Sequence, residues 1–301
     1  METVLEKEKL VDKDIADKRK KQEQNEKSKK EFTIFGFSIW KILTYFIIYS
    51  VIGFIIETLF GLVTKGVIES RKSFLYGPFC AIYGLGAVVM LMFLQYFKKN
   101  NGTLFLGGFI IGSIVEYLVS WIGEMLFHVK WWDYSAVPFN IQGRVCVFFS
   151  LFWGILAIIL MKTVNPKVDK FIDKYIPTKY IKTFSTILVI FMFIDCVITG
   201  FALRMFNTRL VVNYNLELQN VDSYIEDYKK LYSIPEIKEF SDKHFSDKKM
   251  LRTFPNLKVT GKDGEIIYVS DILKDIKPYY VRVFTPSIKG KPIIEPSTYE
   301  E

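Results

Sequence analysis

Glu57, Glu116 and Glu124 each stand inside an otherwise apolar run, and Asp195 stands inside a later one with Thr199 a turn beyond it. A carboxylate in such a run is costly unless it faces protein, water or a ligand. Carboxylates so placed can bind a cation, relay protons, act as an acid and base pair, or, when protonated, bridge two helices. The run holding Glu116 and Glu124 is followed by a polar, aromatic stretch, His128 to Cys146. Within it Asp133, Tyr134, Asn140, Gln142 and Arg144 offer hydrogen-bond donors and acceptors of both kinds. A second polar stretch, Arg71 to Cys80, contains Tyr76 and a Gly77-Pro78 pair that breaks a helix and frees backbone groups to face a ligand.

These residues define an expected site. Glu57, Glu116, Glu124, Asp133, Tyr134, Asn140 and Arg144 bind substrate, with Asp195, Arg71 and Tyr76 in support. Arg144 is the expected partner of Asp195, because Arg204 lies too far along the same helix. Trp131 and Trp132 read as interfacial anchors. The types His128, Glu124 and Asp133 could ligate a metal, but their spacing does not match a metal site, and neither metal nor cofactor is expected. There is no phosphate-binding Gly-x4-Gly-Lys-Ser/Thr loop, no Gly-x-Ser-x-Gly elbow and no zincin helix. The chain therefore carries no ATPase or hydrolase motif, and an enzymatic role is not the leading expectation.

The elements that position these residues are membrane helices. Of 301 residues half are hydrophobic, 16% are aromatic and 24% are charged, so apolar and charged residues must be segregated. Five runs are long enough to cross about 30 Å of hydrocarbon: Ile39 to Val63, Pro78 to Phe97, Leu104 to Phe127, Val145 to Met161 and Phe184 to Phe206. The fourth is near the minimum. The expected fold is an all-α integral membrane protein with about five transmembrane helices and a small extramembrane α+β C-terminal segment. Residues 1–38 form a charged cytoplasmic tract, 39–206 the transmembrane domain and 207–301 a C-terminal domain with a disordered tail from Lys289. The charged tract has no apolar stretch of signal-peptide type, so the first span is expected to direct insertion.

Gly108, Gly112, Glu116, Ser120 and Glu124 recur every fourth position, and Gly53, Glu57 and Gly61 repeat the pattern on the first span. Small residues admit a neighbouring helix, and the carboxylates then need donors from that neighbour. Spans one and three are expected to pack together with Glu57 and Glu116 near the contact. The stretches Gly53 to Gly61 and Gly112 to Ser120 also align, and each is followed by Pro-Phe, at Pro78-Phe79 and Pro138-Phe139. That pattern suggests parallel repeats of two spans with the site at their interface.

Lys and Arg crowd the flank before span one (Arg19, Lys20, Lys21, Lys27, Lys29, Lys30) and the loop after span four (Lys162, Lys167, Lys170, Lys174, Lys179, Lys182). Both read as cytoplasmic, which puts His128 to Cys146 outside and the C-terminal segment outside with it. The net charge is +8, but residues 207–301 hold 15 basic and 15 acidic residues. The surplus flanks the membrane, so the expected partner is the lipid bilayer and not nucleic acid. Cys80, Cys146 and Cys196 read as small buried residues, although one bridge between Cys80 and Cys146 is conceivable. Asn165-Pro166, followed by Val168, Phe171, Ile172, Tyr175 and Ile176, reads as a capped amphipathic helix lying on the bilayer or docking a partner subunit. Val221 to Leu231 reads as helix, and Leu257 to Val269 as strand, Lys262-Asp263-Gly264 turn, strand.

The stretches Ser70 to Gly84, Glu116 to Ser120, Trp132 to Ser135, Phe139 to Cys146 and Trp153-Gly154, together with Glu57 and Glu124, resemble the bacterial ABC-transporter permease family, the type IV membrane proteins, over residues 43 to 205. Ala81 departs from the proline often found after the cysteine. The resemblance implies a multi-pass component of the bacterial inner membrane that binds or moves a small polar solute, cationic given the acidic residues, and is powered by a separate ATPase subunit. That subunit would engage the Asn165 to Ile176 helix, and so few spans would favour a homodimer. The other readings are a membrane-embedded enzyme using paired carboxylates, and a sensor or scaffold acting through its C-terminal domain.

Overall fold

A computed structural model describes residues 33–276 and 280–284. The charged tract up to residue 32 and the tail from Lys289 lie outside the described residues. Helix α1, Ile39–Lys65, starts where the Ser38 hydroxyl accepts the Lys41 N–H at 3.3 Å, and closes at Gly66, whose φ of 69° suits a residue without a side chain. Helix α2 is Ala81–Leu94, extended by a tight turn Gln95–Phe97. Helix α3, Asn101–Phe127, is capped by the Asn100 side chain, which accepts the Gly102 N–H at 2.8 Å, and it ends at a left-handed His128. Helix α4, Val147–Ile159, passes through a wide π turn, Leu160–Val164, into α5, Asn165–Tyr175, and α6 is Thr178–Tyr214.

Four of these units are long and apolar enough to cross a membrane: Ile39–Lys65, Asn101–Phe127, Val147–Tyr175 and Tyr180–Tyr214. The short apolar helix is the second, Ala81–Phe97, and not the fourth as the sequence suggested. Pro78 to Cys80 stay outside α2, because Gly77 takes a φ of 69° and the Cys80 N–H is held by the Ser50 carbonyl at 2.9 Å. The fourth span instead gains length. Asn165 does not cap a separate helix; its side chain accepts the Tyr49 hydroxyl at 2.9 Å and donates to Asp169 at 3.1 Å, while the π turn carries the chain through Pro166. The amphipathic helix is thus the end of span four, with Val168 and Ile172 buried against α1 and α2 residues such as Tyr45 and Leu94.

The small-residue stripes face helices other than the expected ones. Helix α1 packs on α2 and α6, whereas α3 packs on α4 and α2. A Cβ on Gly53 would run into Tyr83 of α2; on Gly108 or Gly112 it would run into Ala157 and Trp153 of α4. Spans one and three therefore do not supply each other's partner. Each closes onto the helix that follows it, which makes two helical hairpins whose returning helices both begin after a cysteine, Cys80 and Cys146.

The ends of α1, α3 and α6 meet one cap. Strand Val67–Glu69 pairs antiparallel with Tyr280–Arg282, and Lys130 bridges to Lys258. Beyond α6 come α7, Val221–Leu231, α8, Pro235–His244, α9, Asp247–Thr253, and α10, Val269–Ile272. Between α9 and α10 a hairpin pairs Lys258–Thr260 with Ile266–Tyr268, turning at Gly264 with a φ of 86°. The helix and hairpin stand where the sequence placed them. Helix α6, expected to end at Phe206, runs to Tyr214 because its last turns are inside the cap: Leu203, Phe206 and Leu210 pack with Leu75, Val129, Tyr224, Met250 and Val259. Buried Arg209 meets Asp247 at 2.6 Å, the Tyr232 hydroxyl at 2.9 Å and the Ser241 hydroxyl at 3.0 Å.

Two substitutions distinguish close helix contact from ordinary helix propensity. Gly108→Ala drives a methyl into Ala157 and the Trp153 carbonyl, and is expected to destabilise by about 1–3 kcal/mol. Gly86→Ala meets Trp153 only at an ordinary 3.7 Å and should be neutral or stabilising by up to about 1 kcal/mol. Thermal unfolding of the detergent-solubilised chain checks both. Leu210→Ala, fully buried between α6 and the cap, should cost about 2–5 kcal/mol and increase proteolysis of the C-terminal segment first.

Candidate functional site

The helix-borne carboxylates are each met by donors from another segment. Glu116 is buried, with its two oxygens accepting the Tyr134 hydroxyl at 3.0 Å and the Trp153 indole N–H at 3.2 Å. Tyr134 comes from the His128 to Cys146 loop and stacks on Phe149 of α4, ring centroids 4.8 Å apart. Burial, and then the Glu116 charge, hold the Tyr134 phenol well above its ordinary pKa, so it remains a donor. Glu57 accepts the Tyr83 hydroxyl of α2 at 2.8 Å and lies 3.9 Å from Arg71. Arg71 reaches Glu69 at 2.7 Å, and Lys65 completes the chain of charges at 3.4 Å. Tyr83 and Trp153 lie 5.5 Å apart, centroid to centroid, so the aromatic residues of α2 and α4 bring the Glu57 and Glu116 clusters together.

Glu124, at the end of α3, forms the second junction. Arg144 reaches it at 2.5 Å while donating to Ser120 at 3.1 Å; the Thr260 hydroxyl donates at 2.8 Å and Lys130 lies at 3.7 Å. Helix, loop and C-terminal hairpin are thereby tied at one carboxylate. Arg144 is therefore not the partner of Asp195. Asp195 accepts the Tyr76 backbone N–H at 3.2 Å and the Thr199 hydroxyl at 3.4 Å, and Thr199 accepts the Leu75 N–H at 2.9 Å. The loop broken by Gly77-Pro78 does present backbone groups, and they are used by a carboxylate of α6. Arg204 pairs with Asp227 at 2.5 Å and stacks over Tyr224.

Asn140 and Asp133 shape the loop. Asn140 donates to the Val137 carbonyl at 2.8 Å and accepts the Gly143 N–H at 2.9 Å; Asp133 accepts the Ser135 hydroxyl at 2.8 Å. Gly143 takes a φ of 66° against both residues, where a side chain would collide with Asp133 and Ser135. Trp132 donates to the Arg144 carbonyl at 2.9 Å, so it belongs to the loop fabric. His128 packs against Tyr224. Cys80, Cys146 and Cys196 are thiols. Among the described residues no group of three or more His, Cys, Asp or Glu is placed to hold a metal ion.

A cavity of about 380 Å³ opens between α1, α2, α3 and the cap. Of the expected site residues, Glu57, Arg71 and Tyr134 line it; Glu116, Glu124, Asp133, Asn140, Arg144, Asp195 and Tyr76 do not. Most of its wall is apolar, with Phe74, Leu85, Ile122 and Phe127 among the lining side chains. Tyr83, Trp153 and Thr260, which complete the carboxylate clusters, were not foreseen. Aligning the two hairpins on Cys80 and Cys146 sets Tyr83 opposite Phe149, and that register carries the signal: the first hairpin has its hydroxyl on the helix, and the second receives it from Tyr134 stacked on the phenylalanine.

Arg144→Met keeps the volume but leaves Glu124 with Thr260 and Lys130 alone. Losing the charge-assisted hydrogen bonds of this part-buried pair is expected to cost about 1.5–3 kcal/mol. Hydrogen exchange should show the backbone of residues 128–146 losing protection before α3 does, and unchanged protection would refute the junction.

No curated protein and no solved structure matches this chain. Residues 44–200, from α1 through most of α6, match the family described as "Putative ABC-transporter type IV". With more than half of the chain inside that match, including two of the four membrane-crossing helices whole and most of the other two, the protein belongs to the ABC-transporter type IV family.

Proposed function

We propose that this chain is the permease component of a bacterial inner-membrane transport system, binding or moving a solute in the cavity under its cap. The observation that carries this reading is the cavity itself, bounded by α1, α2, α3 and the cap in a transport-related membrane family. Its carboxylate, Glu57, is matched to Tyr83 and Arg71, and most of the wall is apolar. A solute with a polar end and an apolar body suits this wall better than the hydrated cation suggested by the carboxylates alone. The enzyme reading is weaker, since both Glu116 oxygens already accept hydrogen bonds from protein donors. In this proposal the cap faces outside, following the positive residues at the opposite end.

The energy source is a separate ATPase subunit, docked at the end away from the cap. Helix α5 offers the surface: Phe171 and Tyr175 are exposed there with ring centroids 5.2 Å apart, beside Lys167, Lys170 and Lys174. Purification of the chain from native membranes at native abundance should retain an ATPase subunit, and Phe171→Ala/Tyr175→Ala should release it while the cap remains folded. Repeated purification without any ATPase would overturn the permease reading.

A further inference from the structure

Beside the cavity lies a second pocket of about 410 Å³, walled by Lys72, Lys248, Lys249 and Arg252 with Ser70, Ser246 and Thr253. Ser70, Lys72 and Thr253 line both, so the two spaces share one wall. Their chemistry is opposite. The first is bounded by Leu85, Val119, Ile122 and Leu126, of which Leu85, Ile122 and Leu126 are exposed apolar side chains on membrane helices and therefore meet lipid. The second brings together four cationic side chains from the Arg71 to Cys80 loop and α9.

Asp195 meets Lys72 electrostatically, and the other carboxylates nearby have cations of their own. Asp247 is held by Arg209 at 2.6 Å, and Glu57 and Glu69 share Arg71 and Lys65. Two buried donors at the cavity wall, the Ser70 hydroxyl and the Trp131 indole N–H, have no hydrogen-bond partner among the described residues. Buried donors left so are costly unless something accepts from them.

We infer that the two pockets form one site for a membrane lipid with an anionic phosphate head, its head among Lys72, Lys248 and Lys249 and its hydrocarbon in the cavity between α2 and α3. Phosphate oxygens accept from lysine, arginine and hydroxyl groups together, and a chain entering from the bilayer stays in apolar surroundings throughout. The inference deepens the transport reading by naming the class of solute, and it rests on that reading only for the idea that the lipid is moved.

The test uses the full chain in neutral detergent micelles, titrated with fluorescent phosphatidic acid, with fluorescent phosphatidylcholine and inorganic phosphate as the other arms. Phosphatidic acid should bind saturably and at least tenfold more tightly than phosphatidylcholine, and millimolar inorganic phosphate should fail to displace it. Lys72→Gln/Lys249→Gln should weaken binding at least tenfold, as should Leu126→Trp, which fills the apolar half. Lys248→Gln, on an exposed side chain, repeats the charge test with little risk to folding. Equal binding of the zwitterionic lipid, indifference to all of these variants, or displacement by inorganic phosphate would each overturn the proposal, the last by pointing to a soluble anion. Selective binding without a co-purifying ATPase would uphold the site and refute the permease reading; an ATPase without selective binding would do the reverse.

Discussion

A carboxylate carried on an apolar helix has to be met by donors from another part of the chain, and the arrangement of this protein follows from meeting that demand four times. Desolvating an unpartnered carboxylate costs several kcal/mol, so no packing that strands Glu57, Glu116, Glu124 or Asp195 competes with the native one. Glu57 is met by α2, Glu116 by α4 and a loop, Glu124 by a loop and the C-terminal hairpin, and Asp195 by the backbone of the first loop. Three of the four draw on the same end of the helices. The cap is where the polar debts of the spans are settled.

This explains why the loops are polar and aromatic yet ordered. Tyr134 must reach α3, which fixes the entry to its loop; Arg144 must reach Glu124, which fixes the exit; Asn140 and Gly143 make the turn between them. The C-terminal segment then adds to the cap with Thr260 on Glu124, Asn256 on Lys65 and a hydrophobic core built around the last turns of α6. The cavity is what remains between α1, α2 and α3 beneath this lid, with apolar side chains towards the bilayer and basic ones towards the cap.

The spans, the polar loops and the C-terminal helix and hairpin were legible because apolar length, Asp-Gly chemistry and helical periodicity are local signals. Partner choice was not. The stripe Gly108, Gly112, Glu116 announces a close neighbour without naming it, and the neighbour is Trp153 on the next helix, an aromatic whose N–H is invisible to periodicity. Asn165-Pro166 reads as a helix start because a proline fits a first turn; the π turn before it supplies the same tolerance inside a continuous span. The basic wall from α9 was silent for another reason. Lys248, Lys249 and Arg252 look like a solvated helix face until tertiary packing sets them beside Lys72.

The account stands on the claim that span carboxylates fasten the cap, and Glu116 with Tyr134 isolates it. Denaturant unfolding in mixed micelles of the parent, Glu116→Leu, Tyr134→Phe and the double variant gives their coupling free energy. The account predicts a coupling of about 1–3 kcal/mol, because either change alone leaves a buried partner unmet. Additive effects, within about 0.3 kcal/mol, would mean that loop and helix are held independently, and would contradict it.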